Sequence, residues 1–583
     1  MSEIIIRNSD LAADVIGEWG QLQGDRTIWL SRWQDNANYI HPNRSDYLSP
    51  KTPGQSRMQY AYDGTAIWAN VQLAAGLHGM LTSPTLRWFG LRCEDDRLNQ
   101  DPDTLAWLDD ASDRMYAIFN GSKHNFASQT DELYLDLGSI GTAVMGTLES
   151  ASSGILFSTH HLRDCCLAEN EEDRVDTLYR QFEWTAKKAW QRWGKDAGPT
   201  VEKLMADGKP FERLRFLHAT RPRAMRDPQR ADAKNMPFQS VYVCVDSQTQ
   251  IQDEGGFREF PYHCPRFSKV TGEIYGRGPG WTNLPDIKML NEMLRTVLKS
   301  AQKIVDPPLM LPDDGFMVPI KTSPGALNFY RAGMRDKLEP LRTGGDIQIG
   351  NEMLGELRQR ILRGFYVDWL IMPSDPQDPA SAGKGVTATY VLQNRDEKMR
   401  LLSPMLARMQ SEFLGPLIDR TFAIMWRQSF ARRFGEGAMF APPPPSLSGA
   451  KLRVEYVSPI ALAQAGSELD SMTRLIQAAG MLGQIDPTVP QSIDGDTTLR
   501  LIARRLNTPA RMLRSPAEVA QRIADQQKQA QDAQDAQQGM AQAKSMRDGA
   551  AAVQHLAVAN QALGAAQQGG PPGQGGAPQQ EAA

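Results

Sequence analysis

Membrane-length hydrophobic runs are missing from this 583-residue sequence, so no helical membrane span is expected. Cysteine is scarce. Cys93, Cys165, Cys166, Cys244 and Cys264 form no C-x-x-C pair, and an odd number in so long a chain suggests free thiols in a reducing cytoplasm rather than a disulfide framework. His160 and His161 stand near Cys165–Cys166, yet a zinc site needs defined turns and a second ligand pair, so the segment reads as a strand with buried thiols. One-sided charge is absent too, with 64 Lys+Arg against 68 Asp+Glu and a formal net charge of −4. Tight grip on a phosphate backbone usually needs a basic protein, because affinity comes from neutralising phosphates. The balance argues against a dedicated DNA-clamping module and does not exclude a surface along which DNA slides without sticking. Catalytic signatures are also missing: no G-x-S-x-G, H-E-x-x-H or complete P-loop occurs, and no carboxylate pair has supporting context. The opening residues, MSEIIIRNSD, are too short an apolar stretch and too acidic for a signal peptide.

What is present is a long apolar rod. In Gly385–Phe430, Thr387 or Thr389 can cap a helix, because a hydroxyl oxygen accepts a first-turn N–H. Leu402, Leu406, Met409, Phe413, Leu417, Thr421 and Ile424 then recur at steps of three or four, and Leu414, Ile418, Phe422 and Met425 make a second row. So wide a stripe needs partners on more than one side. A single helix of this length spans about 65 Å, and Pro404 and Pro416 should bend it, since each removes an N–H and presses on the preceding turn. On pattern alone, the long core helix of a large enzyme fits equally well.

The residues of this rod, TATYVLQNRDEKMRLLSPMLARMQSEFLGPLIDRTFAIM, with LRVEYVSPIALAQ after it, resemble the head-to-tail connecting (portal) proteins of short-tailed bacteriophages. Tyr390 stands where that family often has an acidic residue. Two further blocks extend the likeness: Asp63–Leu91, with its A-A-G-L helix and T-x-P-x-x-x-W-F end, and Arg266–Pro279, with G-E-x-Y-G-R-G-P. Together the blocks cover nearly all of residues 20–480 in matching order. The resemblance implies an α+β, mainly α subunit with wing, helical stem, β-rich clip, long kinked helix and C-terminal helical crown.

Read in order, residues 10–40 form an amphipathic helix through Leu11, Val15, Trp19, Leu22, Arg26, Trp29, Trp33 and Ile40, stopped by Pro42. The small residues Ala74, Ala75, Gly76 and Gly79 suit a tightly packed inner helix, on which His78 reads as a satisfied side chain. Pro102–Phe119 and Phe126–Leu137 read as helices, residues 153–180 as strands around a polar turn at Asn170–Asp173, and Phe182–Trp193 and Val201–Met205 as short helices. Lys187, Lys188, Arg192 and Trp193 read as a solvated helix face in preference to a nucleic-acid contact. Gln239–Val245 and Gly256–Tyr262 read as strands. Gly276-Arg277-Gly278-Pro279-Gly280 is no dinucleotide loop, since Trp281 replaces the last glycine. A helix from Leu284, capped near Asp286, ends at Asp306-Pro307-Pro308; a β-rich excursion and a second helix, Gly350–Ile371, follow. PSDPQDPASAGKG at 373–385 cannot build a core and fails as a Walker A, with Asp378 and Gly385 at the required Gly and Ser/Thr positions. Leu452–Val457 reads as a strand and Ala461–Leu482 and Thr497–Leu506 as helices. Residues 516–565 are helix-forming with weak apolar periodicity, and the Gly/Pro/Gln-rich end cannot bury enough surface to order itself.

The resemblance divides the chain into a wing (1–280), stem helices (281–306 and 347–372) around a clip (307–346), a tunnel loop (373–385), the long kinked helix with wing completion (386–500), crown or barrel helices (501–565) and a disordered tail (566–583). It implies Ser374, Asp375, Gln377, Ser381 and Lys384 as DNA-channel residues, and Asp313, Asp314, Phe316, Lys321 and Phe329 as clip residues that dock partners. The implied partners are a ring of identical subunits (about twelve in the family), the terminase large subunit transiently, tail adaptor and tail tube proteins, major capsid and scaffolding proteins, and double-stranded DNA without sequence preference. No cofactor, metal or membrane is implied; the place is the portal vertex of the virion, after assembly in the host cytoplasm. The alternatives are another virion scaffold or tail adaptor, and a DNA-packaging enzyme, which would need the absent ATP site.

Overall fold

The computed structural model describes residues 2–306, 308–310, 339–340, 347–370, 402–456, 472–482, 495, 498–499, 502 and 516–565, apart from 50, 51, 53, 56, 151–153, 231, 436, 448 and 450. The chain divides into two units, residues 1–507 and 508–583. The architecture is mainly helical with several antiparallel sheets.

The expected N-terminal helix is two: α1 (Ser2–Asp25) and α2 (Thr27–Ile40). Arg26 causes the break, turning inward so that its guanidinium donates to the carbonyls of Leu162 and Cys165 at 3.0 and 2.5 Å. The Leu162 carbonyl also accepts the Cys165 N–H, so Arg26 adds a buried side-chain clasp between the helix junction and the start of the next strand segment. In the inner helix α3 (Thr65–Leu81), Ala66, Ala69, Leu73, Ala74 and Leu77 are all buried. Its first turn is capped by Asp63, which accepts from the Thr65 N–H at 2.7 Å. A short strand β1 (Phe89–Cys93), then α4 (Pro102–Phe119) and α5 (Phe126–Ser139) follow. Close packing of α3 on α5 explains Gly138: a Cβ there would sit 2.1 Å from the Asn70 amide oxygen.

The β region holds β2 (Val144–Ser150), β3 (Gly154–His160), β4 (Cys165–Glu169), β5 (Val175–Thr185), β6 (Arg213–Pro222), β7 (Phe238–Cys244), β8 (Thr249–Phe257) and β9 (Tyr262–His263). Strands β4 to β8 form a meander in sequence order, while β9, β2 and β3 make a second sheet. Two expectations are corrected here. Residues 182–185 continue β5 because Phe182 and Trp184 pair with Phe216 and Leu214 on β6, so the helix α6 (Ala186–Trp193) starts only after the Thr185 cap. Its Lys187, Lys188 and Arg192 are exposed, while Trp193 is buried. Gly256–Tyr262 is not one strand, since the chain leaves one sheet at Phe257 and joins the other at Tyr262. All five thiols are buried and unpaired; burial pushes Cys166 up to about 11 and raises Cys165 and Cys264 well above the usual thiol range. His161 lies against Asp46 at 2.8 Å, and His160 faces Arg180 at 3.3 Å.

After the short α7 (Pro199–Ala206), the next helix, α8, runs Pro279–Val305. It starts about two turns before Asp286, with Pro279 in the first turn where no N–H is needed. The glycines ahead of it serve contact between backbones. A Cβ on Gly278 would lie 2.6 Å from the Leu137 carbonyl oxygen, and one on Gly276 would lie 2.7 Å from that of Gly141. The second long helix is α9 (Ile347–Gly364), broken before α10 (Val367–Leu370) by Tyr366 at φ 59°.

The apolar rod is helical over 402–409, which we call α11, and over α12 (Gly415–Ala431). Leu402, Leu406, Met409, Phe413, Leu417, Thr421 and Ile424 are buried, as are Leu414, Ile418 and Met425 of the second row, while Phe422 is partly buried. Residues 386–401, with Thr387, Thr389 and Tyr390, lie outside the described residues. Pro404 stands in the first described turn. The bend expected at Pro416 takes the form of a π turn over Gln410–Leu414, closed by the Gly415 N–H on the Gln410 carbonyl. Pro416 has no N–H to offer Glu412, and the extra residue relieves the clash. The wider turn thrusts Glu412 toward Arg266, whose side chain is 2% exposed. Arg266 donates to the Glu412 carboxylate from Nη2 at 2.8 Å, from Nε at 3.1 Å and from its own backbone N–H at 2.9 Å. Its remaining donors reach Glu169 and the carbonyls of Ile274 and Asp173. On the next turns Arg420 donates to the Thr147 carbonyl and to Glu259, each at 3.0 Å. Strand β12 (Leu452–Tyr456) returns to pair with β1, and the Tyr456 hydroxyl donates to the Gln410 carbonyl at 3.3 Å. A helix over 472–482 (α13) follows in the first unit, and the described residues of the second unit form a 50-residue helix, α14 (Pro516–Ala565).

Two histidines are fully buried near strand β9, His218 on the side of the five-stranded sheet and His263 on the side of the rod. His218 sits between the Tyr262 hydroxyl and the Ser240 hydroxyl, each at 2.9 Å, and His263 meets the Thr147 hydroxyl at 2.9 Å. Burial depresses both rings to about 3, aided by Arg180 beside His218 and Arg420 beside His263. In the unfolded chain each takes a proton near its ordinary 6.5, so stability is present above that pH and drains away as pH falls toward 3. At pH 5 the loss is roughly 2 kcal/mol per histidine, with ~1 kcal/mol returned by Asp136, whose burial lifts it to about 6 despite Arg44. Denaturant midpoints are therefore expected to fall between pH 7 and pH 5, and H218Q should flatten the slope.

Two substitutions test the packing. Arg266→Ala strands a buried carboxylate and is expected to cost about 3–5 kcal/mol in urea unfolding. Gly278→Ala forces two backbones apart and should lower stability by at least ~1–3 kcal/mol with the fold retained.

Candidate functional site

Helices α8 and α9 lie antiparallel. Gly350 touches Val297, and Gly364 backs onto Asn283 so closely that a Cβ would lie 2.0 Å from its amide oxygen. Fourteen residues separate the contacts on each helix, so the register holds without slippage over that length. Arg360 faces Asp286 at 3.9 Å across the pair. Arg358 anchors the hairpin to the body of the fold by donating to Asp63 at 2.8 and 2.9 Å. Burial pushes the Asp63 carboxyl up, but hydrogen bonds from Thr65 and Arg358 hold it below the usual range. Beyond α8 the chain reaches β10 (Leu309–Met310), which pairs antiparallel with β11 (Glu339–Pro340). Met310 and Glu339, which flank residues 311–338, are therefore neighbours.

All the clip residues implied by the sequence, Asp313, Asp314, Phe316, Lys321 and Phe329, belong to that excursion and lie outside the described residues, as do Ser374, Asp375, Gln377, Ser381 and Lys384. What the structure supplies is the frame on which both segments hang: the α8–α9 hairpin, ending at α10, and the rod that resumes at 402.

The hairpin carries a feature that the sequence reading passed over. Arg295, Lys299 and Lys303 stand four residues apart on α8 and are exposed, which sets three cations about 6 Å apart along one face. Their i, i+4, i+8 spacing is legible in the sequence, though it leaves no mark on the apolar periodicity. Beside this row Leu298, Ile304 and Val305 are also exposed, and a groove of about 300 Å³ is lined by Met289, Glu292, Met293, Thr296 and Val297. Such a face is too apolar for a helix meant only for water and too charged for a closed core. It offers van der Waals surface and mobile charge. Among the described residues no group of three or more His, Cys, Asp or Glu is arranged to hold a metal ion, and no helix is long and apolar enough to cross a membrane.

Comparison with known proteins bears on this frame. The family model described as "Bacteriophage head to tail connecting protein" matches residues 12–513. The probable portal protein of Bordetella phage BPP-1 is 31% identical over 490 residues, covering 83% of this chain and 85% of that protein. The portal protein of Salmonella phage epsilon15 is 28% identical over 493 residues, with the same two coverages. Among solved structures, a chain in the neck of an empty gene transfer agent (GTA) particle aligns over 75% of this chain and 92% of its own at 10% identity and a TM-score of 0.32. One from the native gene transfer agent virion aligns over 72% and 87%, also at 10% identity, with a TM-score of 0.29. A family match over more than four-fifths of the chain, with a relative above 30% identity along the same span, places this chain in the bacteriophage head-to-tail connecting protein family.

Proposed function

We propose that this chain is a portal subunit: copies of it close into a ring at one capsid vertex, through which double-stranded DNA is packaged and later ejected. The observation that carries this is the family match running through both stem-like helices and the rod, supported by two relatives named portal proteins along 83% of the chain. The protein is a structural connector and not an enzyme. Its work is physical: a separate ATPase drives the DNA, and the ring provides the hole.

In this reading residues 1–280 are the wing and 281–306 and 347–372 the stem, with 307–346 as the clip. Residues 373–385 are the tunnel loop, 386–500 the long helix and wing completion, 501–565 the crown and 566–583 a tail without a core. The clip, through Asp313, Asp314, Phe316, Lys321 and Phe329, receives the terminase large subunit and later the tail adaptor and tube. Capsid and scaffolding proteins surround the wing in the virion, after assembly in the host cytoplasm. Ser374, Asp375, Gln377, Ser381 and Lys384 face the DNA. Each phosphate neutralised slows sliding, which suits a single lysine per loop and the near-neutral balance of the whole chain. The row Arg295, Lys299 and Lys303 adds a second, shallow set of cations for phosphates, or for carboxylates on a neighbouring subunit.

Closed rings have heterologous contacts, in which one face meets a different face of the next copy. Purified protein without DNA or nucleotide is expected to sediment as a large assembly, about twelve times the 64.8 kDa chain; monomer under all conditions contradicts the reading. Deleting residues 375–383 should leave these assemblies intact and impair DNA filling or retention in heads. Normal filling with stable heads would remove the loop from the mechanism.

A further inference from the structure

Each subunit carries a rigid apolar projection and an aromatic recess that cannot meet within one copy. The projection is Phe211, on the turn between α7 and β6, with its ring 75% exposed. The turn is fixed by backbone bonds: Lys209 N–H to the Leu204 carbonyl and Lys187 N–H to that of Pro210, both 2.9 Å, and Ala186 N–H to that of Glu212 at 2.9 Å. Phe211 is therefore presented without further ordering cost, which suits an interface anchor. Glu212 beside it is exposed and forms no ion pair among the described residues.

The recess, of about 490 Å³, is walled by Trp107 of α4, Phe422 and Trp426 of α12, and Pro443, Leu447 and Leu452 of the returning chain. Its polar rim is Arg258, Glu259 and Arg427. Glu259 is already engaged by Arg420 at 3.0 Å and Arg427 at 2.6 Å, and Arg427 also reaches Glu149 at 3.1 Å. Arg258 is exposed and forms no ion pair among the described residues, so the rim holds an unanswered positive charge.

Sheet register separates the two features. Phe211 lies two residues before the start of β6 at Arg213. The far end of β6, Pro222, pairs with Phe238, which pairs with Phe257, the residue before Arg258. Ten strand residues put projection and recess about 30 Å apart at opposite ends of one sheet. A subunit cannot fill its own recess, whereas a head-to-tail neighbour can. We propose that Phe211 of one copy seats between Trp107, Phe422 and Trp426 of the next, with Glu212 meeting Arg258. The occupant is a second copy because the apolar knob and its acid match the apolar recess and its spare cation, and because a closed ring needs two different complementary faces on each subunit.

The inference rests on the ring reading, and the test separates the two. The native thiols are all buried, so a full-length double variant, Glu212→Cys with Arg258→Cys, should give a ladder of cross-linked chains on mild oxidation of assembled protein, while neither single variant does. Independently, Glu212→Arg or Arg258→Glu should raise the concentration needed for assembly roughly threefold to tenfold, and the double reversal should restore it. Rings that form without a ladder and without rescue overturn the seating but leave the ring reading standing. Cross-linking of the R258C chain to another virion protein in filled heads, instead of to a second copy, also overturns it. A wild-type chain that never assembles overturns both.

Discussion

The grip of Arg266 on Glu412 holds the described structure together. Pro416 makes a regular helix impossible at that point, and the π turn that results swings a carboxylate inward. An uncompensated carboxylate there would be costly. Arg266 meets it with three hydrogen bonds and spends its other donors on Glu169 and two carbonyls. One guanidinium thus ties the rod to the end of β4, to the turn before β5 and to the segment that leads into α8. A hydrophobic pair of similar volume would serve stability as well, but it would not fix where along the rod the extra residue falls. Arg420 and Glu259 repeat the arrangement about two turns later, against the second sheet.

That joint has a consequence for the hairpin. Gly276, Gly278 and Gly280 lie on the backbone of residues 137–141 and Ser268, and Gly141 adopts φ +100° to let them do so. The start of α8 is thereby pinned to α5 and to the Arg266 segment within a few residues. From this fixed root α8 extends for 27 residues and α9 returns alongside it. A hairpin that projects from a rigid root, carrying cations and apolar side chains on its outer faces, is suited to repeated contact with identical neighbours and to shallow contact with a passing polyanion. It is poorly suited to catalysis, which needs converging groups in a dry pocket.

Much of this was legible in the residues. The two rows of the rod, the small-residue helix α3, the boundaries of α4 and the strand at Cys165–Cys166 follow from periodicity and from where prolines and glycines stand. The misreadings have local physical causes. Arg26 occupied a stripe position and looked like a helix-face residue, but its guanidinium was needed by two distant carbonyls, a demand no local pattern reveals. Phe182 and Trp184 have the spacing of either a strand or a helix start, and only pairing with β6, itself unread, decides between them. Residues 258–261 cross between sheets because Arg420 and Arg427 hold Glu259, again a long-range event. Pro416 announced a bend; that the bend would be a π turn depended on Arg266, 150 positions upstream in round terms. The two helices of the candidate site were legible, while the cations at 295, 299 and 303 leave no mark on apolar spacing.

The central claim is that the chain acts by surrounding an opening. Negative-stain imaging of the purified full-length protein, viewed end-on, tests it directly. The account predicts closed rings with an axial hole wide enough for duplex DNA, about 20 Å or more given grooves of the dimensions DNA presents. Solitary compact particles without a central opening would contradict it.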